Sequence, residues 1–380
     1  MANLLLDDIS KTYAPRAKAP IRAVKQVRLD IKDGEIVALL GSSGCGKTSM
    51  LRMVAGFEEV TEGAIRIGGQ EIHNLPPSQR GVAMAFEGYS LYPPLKVREN
   101  VAFALLREKK ANAEIEARVR QVAELLEITD ILDRYPTVIS AGQQQRTSLA
   151  RALIRRAPVS LLDEPMSQLE PQLRAIVRAR LKDYLIEHKM TTLFVTHDQT
   201  EAIALADRIA VMEKGELQQF GTPAEIKERP NNLFVASFVG EPPMNIFDAH
   251  LDHAGDHLRI NALGAGGQAA FSLKAPLLEN VAGQDVRIGI RPHLITLGAD
   301  ASPTSEDAVA TGRIISNHWL GDQSHICLDV AGTNVVCVTE RPVETEIGKA
   351  LALRVPAKAV HLFDAVSGRA LAHGLASKVH

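Results

Sequence analysis

Apolar and polar positions divide the chain into two parts with different periodicity. Up to about residue 237, short apolar runs alternate with stretches whose apolar residues repeat at helical spacing. The apolar runs predict buried strands over Ile65–Ile67, Val82–Phe86, Val159–Leu162, Thr192–Thr196 and Ile209–Met212. The periodic stretches predict helices over Ala113–Ile128 and Gln172–His188. This alternation predicts an α/β domain over 1–237 with a mixed, mainly parallel core sheet and a helical subdomain at about 88–158.

Beyond about residue 238, strict alternation of apolar and polar residues replaces the helical spacing. The segments that alternate are His257–Asn261, Ala269–Leu273, Val286–Ile290, Ala308–Ile315, His325–Val330, Val335–Val338 and Leu351–Val355. Gly, Asp, Asn and Pro separate them, as is typical of turns between short strands. We therefore expect a second, small all-β domain over 238–380, with the boundary near Gly240–Pro243.

A glycine-rich segment follows the apolar run Ile36–Leu40 and precedes a helical stretch. It reads Gly-Ser-Ser-Gly-Cys-Gly-Lys-Thr, and in a strand–loop–helix context this pattern predicts a phosphate-binding loop. Backbone amides of such a loop close around phosphates at the positive end of the following helix. The alternative is a turn that only caps a helix. The candidate nucleotide-binding residues are Gly41, Ser42, Ser43, Gly44, Cys45, Gly46, Lys47, Thr48 and Ser49.

Two acidic residues end the apolar run Val159–Leu162. In phosphate-loop enzymes a strand-end aspartate holds Mg²⁺, so Asp163 is a candidate metal ligand together with the hydroxyl of Thr48. Glu164 follows directly and is a candidate general base for an attacking water. Lys47 is expected to contact the β- and γ-phosphates. An acidic turn after a core strand is the alternative interpretation.

Two further segments carry polar groups that fit the same chemistry. His197 ends the apolar run before it and is a candidate donor to the charge that develops on a transferred phosphoryl group. A structural strand-end histidine is the alternative. Ser140, Ala141, Gly142 and Gln143 open a helix predicted to continue to about Arg156. Ser140 is a reasonable N-cap, and free amides at a helix start bind anions, although a simple polar cap would look the same.

Composition and charge limit the partners and the cellular environment that fit the chain. The chain has 380 residues, 43 basic and 45 acidic side chains and a net charge of −2, which gives no general attraction to nucleic acid. No apolar run approaches the roughly 18 residues of a spanning helix, and the first residues do not resemble a signal peptide. The three cysteines are too scattered for a disulfide framework or a zinc site. We expect a reducing, cytoplasmic environment.

Taken in order, these motifs resemble those of the ATP-binding subunits of ABC transporters. The order is phosphate loop, Ser-Ala-Gly-Gln, Leu-Leu-Asp-Glu-Pro and Thr-His-Asp, and the resemblance covers nearly the whole chain. It is closest to the carbohydrate and polyol importers of the maltose type, glycerol-type importers included. Local matches are Tyr89–Pro93, Asn232–Ala236 and Gly289–Pro292. The resemblance implies an OB-like regulatory domain at the C-terminal end and an ATPase that energises uptake of a small polar solute.

The resemblance also implies an assembly. Two ATP-binding subunits would close head to tail around two ATP and Mg²⁺, each ATP lying between one phosphate loop and the partner's Ser140–Gln143 segment. Tyr13 matches the aromatic residue that stacks on adenine, with a core-facing tyrosine as the alternative. Residues Glu87 to Leu95 match the loop that meets two membrane-spanning permeases; an aromatic satellite core is the alternative. An extracytoplasmic solute-binding protein would complete a system located at the cytoplasmic face of the plasma membrane.

Three positions depart from the family pattern. Glu87 replaces a glutamine that ligands Mg²⁺ and orients water, and it adds negative charge while losing an amide donor. Ala141 replaces a glycine, which would be costly if the position needed a positive φ. Glu170 replaces an aspartate at the end of Ser167–Glu170. We hypothesise that this chain pairs with a distinct ATP-binding subunit; a symmetric homodimer that tolerates these changes is the alternative.

Two other functions remain open from the sequence. One is an ABC-type ATPase that acts on nucleic acid or ribosomes, which the single cassette and the net charge disfavour. The other is a regulatory module that holds ATP with little turnover, which Glu87 and Ala141 favour and Glu164 and His197 disfavour. An importer ATPase accounts for more of the residues than either.

Overall fold

A computed structural model describes residues 2–14, 19–106, 111–254, 257–276, 284–298 and 307–375. The chain forms two compact units, Met1–Pro223 and Ala224–His380. Among the described residues, no helix combines the length and the apolar character that crossing a membrane requires. The domain boundary near 237, inferred from the change in sequence pattern, stays a prediction.

The first unit alternates strands and helices, as the sequence pattern predicts. Its strands are β1 (Leu4–Tyr13), β2 (Ile21–Ile31), β3 (Ile36–Gly41), β4 (Glu62–Ile67), β5 (Gln70–Glu71), β6 (Val82–Ala85), β7 (Val159–Asp163), β8 (Thr191–Thr196), β9 (Arg208–Glu213) and β10 (Glu216–Gly221). Its helices are α1 (Lys47–Ala55), α2 (Val97–Ala102), α3 (Asn112–Leu125), α4 (Ala141–Leu153), α5 (Pro171–Glu187) and α6 (Gln199–Leu205).

The central sheet has the strand order β10-β9-β3-β8-β7-β6. Strands β3, β6, β7, β8 and β9 run parallel, and β10 is antiparallel to β9. The mixed, mainly parallel sheet is therefore confirmed. Because parallel strands end at the same edge, the turns that follow β3, β7 and β8 lie side by side, and these turns carry the phosphate loop, the acidic pair and His197.

A second sheet has the order β2-β1-β4-β5 and is antiparallel. The run Ile65–Ile67, predicted as a buried strand, lies in β4 of this antiparallel sheet and not in the central sheet. Periodicity could not separate the two cases, because a short apolar run is buried in either kind of sheet. The core between this sheet and the central one includes Leu4, Leu29, Met50 and Leu193.

Helices α2, α3 and α4 lie between β6 and β7 in the chain, inside the range predicted for a helical subdomain. The structure begins α4 at Ala141 and ends it at Leu153, so the predicted continuation to about Arg156 was too long by roughly one turn. Beyond Leu153 the chain must turn to enter β7, and Arg156 takes a positive φ there. Apolar side chains alone do not mark that end.

The second unit is β-rich, with short helices near its start. The helices are α7 (Pro223–Glu228) and α8 (Leu233–Phe238). The strands are β11 (Asn245–His253), β12 (His257–Leu263), β13 (Ala269–Pro276), β14 (Asp285–Ile290), β15 (Thr296–Leu297), β16 (Ala308–Trp319), β17 (Ser324–Val330), β18 (Thr333–Thr339), β19 (Ala350–Val355), β20 (Val360–Asp364) and β21 (Ala370–His373). Each alternating segment of the sequence is a strand here.

These strands form two antiparallel sheets, ordered β13-β12-β11-β14-β20-β21 and β15-β19-β16-β17-β18. Inward side chains of both sheets share one apolar core that includes Leu251, Ile260, Ile314, Ile326 and Leu362. The all-β architecture predicted for the C-terminal part is confirmed. Strand β11 was not predicted, although Phe247, Ala249 and Leu251 alternate along it with Asp248, His250 and Asp252.

Candidate nucleotide-binding site

The phosphate loop leaves β3 and enters α1, as the strand–loop–helix context predicts. Gly44 and Gly46 have φ of 75° and 102°, a region that favours glycine. At Gly46 a Cβ atom would collide with the carbonyl oxygen of Ala23, so only glycine fits. The ammonium of Lys47 donates to the carbonyls of Gly41 and Ser42 at 2.7 and 2.9 Å. The loop is thus a cradle of amides with one buried cation at its base.

The loop, the acidic pair and the histidine converge on one cleft of about 340 Å³. Residues that line it are Ala23, Ser43, Gly44, Gly46, Lys47, Thr48, Ser49, Glu87, Glu164 and His197. Asp163 lies behind Thr48, whose Oγ1 donates to its Oδ1 at 3.5 Å. The structure therefore brings together the residues proposed from the sequence to hold phosphates, metal and attacking water.

The carboxyl of Asp163 is 4 % exposed. Burial, then the charges of Glu87 and Glu164, raise its pKa to about 6, against the lowering effect of Arg52 and of the Thr48 hydrogen bond. The two neighbouring carboxylates disfavour the ionised form of the buried Asp163 carboxyl. Such a cluster of oxygen donors beside a hydroxyl is suited to a hard divalent cation, which would offset the repulsion. The residues present therefore fit Mg²⁺.

His197 and Glu164 contact each other across the cleft. Nδ1 of His197 lies 3.2 Å from Oε2 of Glu164, and the imidazole is largely exposed while the carboxylate is mostly covered. Glu164 adopts φ of 47°, unusual for a residue with a side chain. Its backbone amide donates to the carbonyl of Val195 on β8 at 3.0 Å. The ends of β7 and β8 are therefore fastened together where the two side chains meet.

Tyr13 is at the end of β1, beside the phosphate loop. Its hydroxyl lies 3.2 Å from Oγ of Ser49, a residue of the cleft, and the ammonium of Lys11 lies 4.9 Å from its ring centroid. The side chain is partly exposed rather than buried in the core. This position is compatible with an aromatic platform next to the phosphates, and it disfavours the interpretation as a core tyrosine.

The Ser140–Gln143 segment is not part of this cleft. Oγ of Ser140 accepts from the amide of Gln143 at 3.3 Å, and the Gln143 side chain accepts from the Ser140 amide at 3.0 Å, which makes a capping box. Ala141 has a helical backbone as the first residue of α4, so this position does not need a positive φ and the methyl group causes no backbone strain. Glu170 is the N-cap of α5 but its side chain accepts no capping hydrogen bond.

The loop from Glu87 to Leu95 is exposed and held by side chains of the helical region. Arg151 donates to the carbonyls of Ser90 and Tyr89 at 2.8 and 3.0 Å. Asn100 accepts from the amide of Tyr92 at 2.8 Å and donates to the Tyr92 and Leu95 carbonyls. Tyr92 is 43 % exposed, so these aromatics do not form a closed satellite core.

An apolar groove lies next to this loop, and sequence reasoning missed it. Its lining includes Ala55, Phe57, Val82, Ala83, Met84, Phe86, Ala104 and Ala152, with Arg151 and Arg155 at its edge. Phe57 is 54 % exposed and packs on Phe86 with ring centroids 5.4 Å apart. The sequence signal was weak, because the groove residues come from four separate segments.

Comparison with known proteins places the chain in a family. A family model described as ABC transporter matches residues 24–167, and one described as TOBE domain matches residues 288–363. The xylose/arabinose import ATP-binding protein XacK of Haloferax volcanii is 40 % identical over 377 residues, covering 98 % of this chain and 96 % of that protein. The sn-glycerol-3-phosphate import ATP-binding protein UgpC of Chromobacterium violaceum is 40 % identical over 378 residues, covering 100 % and 98 %.

Two more similarities bear on the family. The trehalose/maltose import ATP-binding protein MalK of Thermococcus litoralis is 39 % identical over 384 residues, covering 98 % of this chain and 100 % of that protein. Among solved structures, a dimeric, post-hydrolysis ATP-binding cassette, MJ0796 bound to ADP and Pi, superposes with a TM-score of 0.54 at 29 % identity over 58 % of this chain and 98 % of that one. The chain therefore belongs to the ABC transporter family, as an ATP-binding ATPase subunit of the import type with a C-terminal TOBE domain.

Proposed function

We propose that this chain binds and hydrolyses ATP with Mg²⁺ in the cleft described above, and that hydrolysis energises uptake of a sugar, polyol or glycerol-type solute. The observation that carries the proposal is the convergence of Lys47, Glu164 and His197 on one cleft, with Asp163 directly behind Thr48. Relatives named for pentose, disaccharide and glycerol-phosphate import have nearly equal identity to this chain. Identity therefore does not favour one of these solutes over the others.

Each side chain of the cleft has a proposed task. Lys47 binds the β- and γ-phosphates, since its ammonium is already held at the base of the amide cradle. Glu164 accepts a proton from the attacking water, and His197, in contact with it, donates to the γ-phosphoryl oxygens. Thr48, Asp163 and Glu87 would hold Mg²⁺, which when bound neutralises phosphate charge. Tyr13 would stack on the adenine.

A head-to-tail pair completes the site in this proposal. Ser140, Ala141, Gly142 and Gln143 lie outside the cleft of their own chain, and the amides at the start of α4 are suited to the γ-phosphate of the partner's nucleotide. A similar cassette of solved structure is a dimer. ATP binding would close the pair, and loss of the γ-phosphate would let it reopen.

We further propose that the partner is a distinct ATP-binding subunit. Glu87 adds charge next to Asp163, and that charge helps to raise the Asp163 pKa. Ala141 presents a methyl group at the exposed start of α4, and Glu170 presents an exposed carboxylate without a capping bond. Both exposed changes lie on segments that would meet the partner. A symmetric pair in which these substitutions are tolerated is the competing arrangement.

The permeases are proposed to dock on the loop from Glu87 to Leu95 and on the groove beside it. Phe57 is exposed in the groove and Tyr92 is exposed on the loop, and an apolar groove with an exposed aromatic side chain is suited to one face of a partner helix. Docking at this place would hold the chain at the cytoplasmic face of a membrane as a peripheral subunit. An extracytoplasmic solute-binding protein would deliver the solute.

Purification of the tagged chain from native membranes in mild detergent, with mass spectrometry of the co-purifying proteins, tests this assembly. We expect two permeases and a second, distinct ATP-binding subunit. Permeases with this chain as the only ATPase would contradict the asymmetric pair and leave the importer intact. Absence of any membrane partner would contradict the importer assembly itself.

Two matched variants make the docking proposal sharper. Phe57→Asp places a charge in the apolar groove, and we expect it to release the permeases. Val366→Asp makes the same kind of change at a side chain that is 97 % exposed in the other unit, and it should retain them. Equal recovery with both variants would count against this docking site.

Uptake of labelled sugars, polyols and glycerol compounds by cells with and without the chain identifies the solute. Loss of uptake for one compound, restored by the wild-type chain and not by Lys47→Ala, is the expected result. Uptake of every compound without the chain would contradict a role in import of this solute class.

A further inference from the structure

Gln145 is a buried glutamine on α4, five residues after the Ser140 cap. Its side chain is 3 % exposed, and it reaches away from the start of the helix to the segment that follows β7. Nε2 donates to the carbonyl of Glu164 at 2.8 Å and contacts Oγ of Ser167 at 3.0 Å. Oε1 accepts from the amide of Gln168 at 3.0 Å. One side chain thus satisfies backbone groups at both ends of 164–168.

The backbone that Gln145 holds is conformationally unusual. Glu164 has φ of 47°, a region that residues with a side chain rarely adopt and that persists only where surrounding contacts enforce it. Its amide is fixed to the carbonyl of Val195 at 3.0 Å, and its carbonyl accepts from Gln145 and, at 3.3 Å, from Ser167. The direction of the Glu164 carboxylate depends on this fixed backbone, because the side chain has no helix or strand to orient it.

The start of α4 is packed against the same segment. A Cβ atom at Gly142 would lie 2.9 Å from the carbonyl oxygen of Gln168, so the helix and the segment approach as closely as their backbones allow. Leu169 is buried beside this contact. A displacement of α4 therefore cannot leave 164–169 in place.

We propose that Gln145 is a positioning residue that fixes the backbone of Glu164 and so connects α4 to the carboxylate that activates water in the same chain. The inference rests on the proposed role of Glu164. Since the start of α4 faces the partner's nucleotide in the proposed pair, occupancy of the partner's site would be transmitted through Gln145 to hydrolysis at this chain's own site. The residue itself does not contact ATP.

Two substitutions of neighbouring glutamines test the proposal in the full chain. Gln145→Leu removes both donor bonds and the acceptor and leaves an apolar side chain that is one bond shorter. Gln144→Leu is the matched control, because Gln144 also donates to two backbone carbonyls, those of Pro136 and Ile139, at 3.0 and 3.2 Å. Hydrogen exchange of peptides that span 164–170 reports the backbone, and single-turnover hydrolysis by the assembled transporter reports chemistry at each site.

We expect Gln145→Leu to speed exchange over 164–168 by about tenfold or more, and Gln144→Leu to leave it unchanged. We expect kcat at the altered site to fall by at least about tenfold with KM within about threefold, since misplaced catalytic groups lose rate before they lose binding. Equal loss of rate in both variants, or unchanged exchange over 164–168 in Gln145→Leu, would overturn the proposal.

Gln145→Glu covers the case in which the leucine variant does not fold. The carboxylate keeps an oxygen for the Gln168 amide but cannot donate to Glu164, whereas the protonated carboxyl can. Burial at this position, where Gln145 is 3 % exposed, would raise the pKa of the glutamate, so the ratio of variant to wild-type rate should rise as the pH falls from 8 to 6. A flat ratio would contradict the proposal. Hydrogen exchange needs no nucleotide, so it tests the role of Gln145 even if the chain does not hydrolyse ATP. Absence of ATP hydrolysis by the wild-type chain would contradict the proposed function and not the backbone contact.

Discussion

Buried polar side chains have different roles in the two units. In the first unit, the buried Lys47 lines the cleft and the buried Asp163 accepts from Thr48 directly behind it. In the second unit, the buried guanidinium of Arg291 donates to the carbonyls of Ala236, Val239 and Lys227, which fastens α7 and α8 to the start of the β-rich fold. The first two side chains lie beside a space for a ligand, whereas Arg291 joins segments of backbone.

The direction of the pKa shifts reflects this difference. Asp163 is buried among other carboxylates, so its pKa rises to about 6 and the site is destabilised until a cation enters. Arg291 is also strained by burial, which lowers its pKa to about 10, yet it stays charged at neutral pH and satisfies three carbonyls. At Asp163 neighbouring carboxylates add to the cost of burial, which is typical of a functional site, whereas at Arg291 the cost comes from burial alone.

The largest expected effect is on ATP turnover, which should depend on a buried residue of the first unit and not on an exposed residue of the second. Lys47→Ala should lower ATP turnover by about 100-fold or more, because the cradle loses its buried cation. Lys349→Ala removes an exposed ammonium from the second unit and should leave turnover unchanged. Phosphate release by the assembled transporter measures both. Turnover within about twofold of wild type in Lys47→Ala would contradict the view that the first unit holds the ligand site.

The next effect concerns the stability of the second unit at acidic pH. Burial, then His373 and Arg291, lowers the pKa of His361 to about 4, and its Nδ1 lies 2.9 Å from that of His373. The unfolded chain binds this proton below a pKa of about 6.5, whereas the folded unit does not bind it until near 4. Stability is therefore lost as pH falls through that window, by about 2 kcal/mol between pH 7 and pH 5.

Urea unfolding at the two pH values checks this expectation. His361→Gln should remove most of the difference, and His318→Gln, at an exposed position, should keep it. If wild type and His361→Gln lost equal stability on acidification, His361 would not be the group responsible.

Much of this architecture could be predicted from sequence because two signals were unambiguous. Strict alternation located β12, β14, β16, β17 and β19, and the phosphate-loop pattern located the turn after β3. Contacts that join distant segments carried no such signal. Gln145 looks like one polar residue among three consecutive glutamines, and only the structure shows it reaching Glu164. The positive φ of Glu164 and the apolar groove near Phe57 likewise arise from tertiary packing, which local patterns do not encode.

A moderate effect on ATP hydrolysis is expected from removing the charge of Glu87 in the cleft. Glu87→Gln removes one of the charges that raise the Asp163 pKa and supplies an amide donor, so transport-coupled ATP hydrolysis should increase by about two- to tenfold. Glu344→Gln makes the same change at an exposed position of the second unit and should have no effect. Membrane vesicles that contain the assembled system provide the assay. Unchanged or lower hydrolysis in Glu87→Gln would count against the argument from charge.

The smallest effect tests whether Glu170 is shaped by function rather than by its helix. Asp198 at the start of α6 accepts from the amides of Thr200 and Glu201 at 2.7 and 3.2 Å, whereas Glu170 at the start of α5 caps nothing. Glu170→Asp shortens the side chain to capping length and should stabilise the first unit by about 0.5–1 kcal/mol, raising its Tm by about 1–4 °C.

Glu170→Ala is the control for that substitution, because it removes the carboxylate without creating a cap and should give no gain in Tm. A gain with aspartate alone would mean that this chain forgoes a stabilising cap in order to present a longer carboxylate on the surface proposed to meet its partner. Equal Tm values for the aspartate and alanine variants would mean that the first turn of α5 needs no cap. The extra methylene of Glu170 would then have no cost in stability, and the comparison with Asp198 would carry no information about the partner.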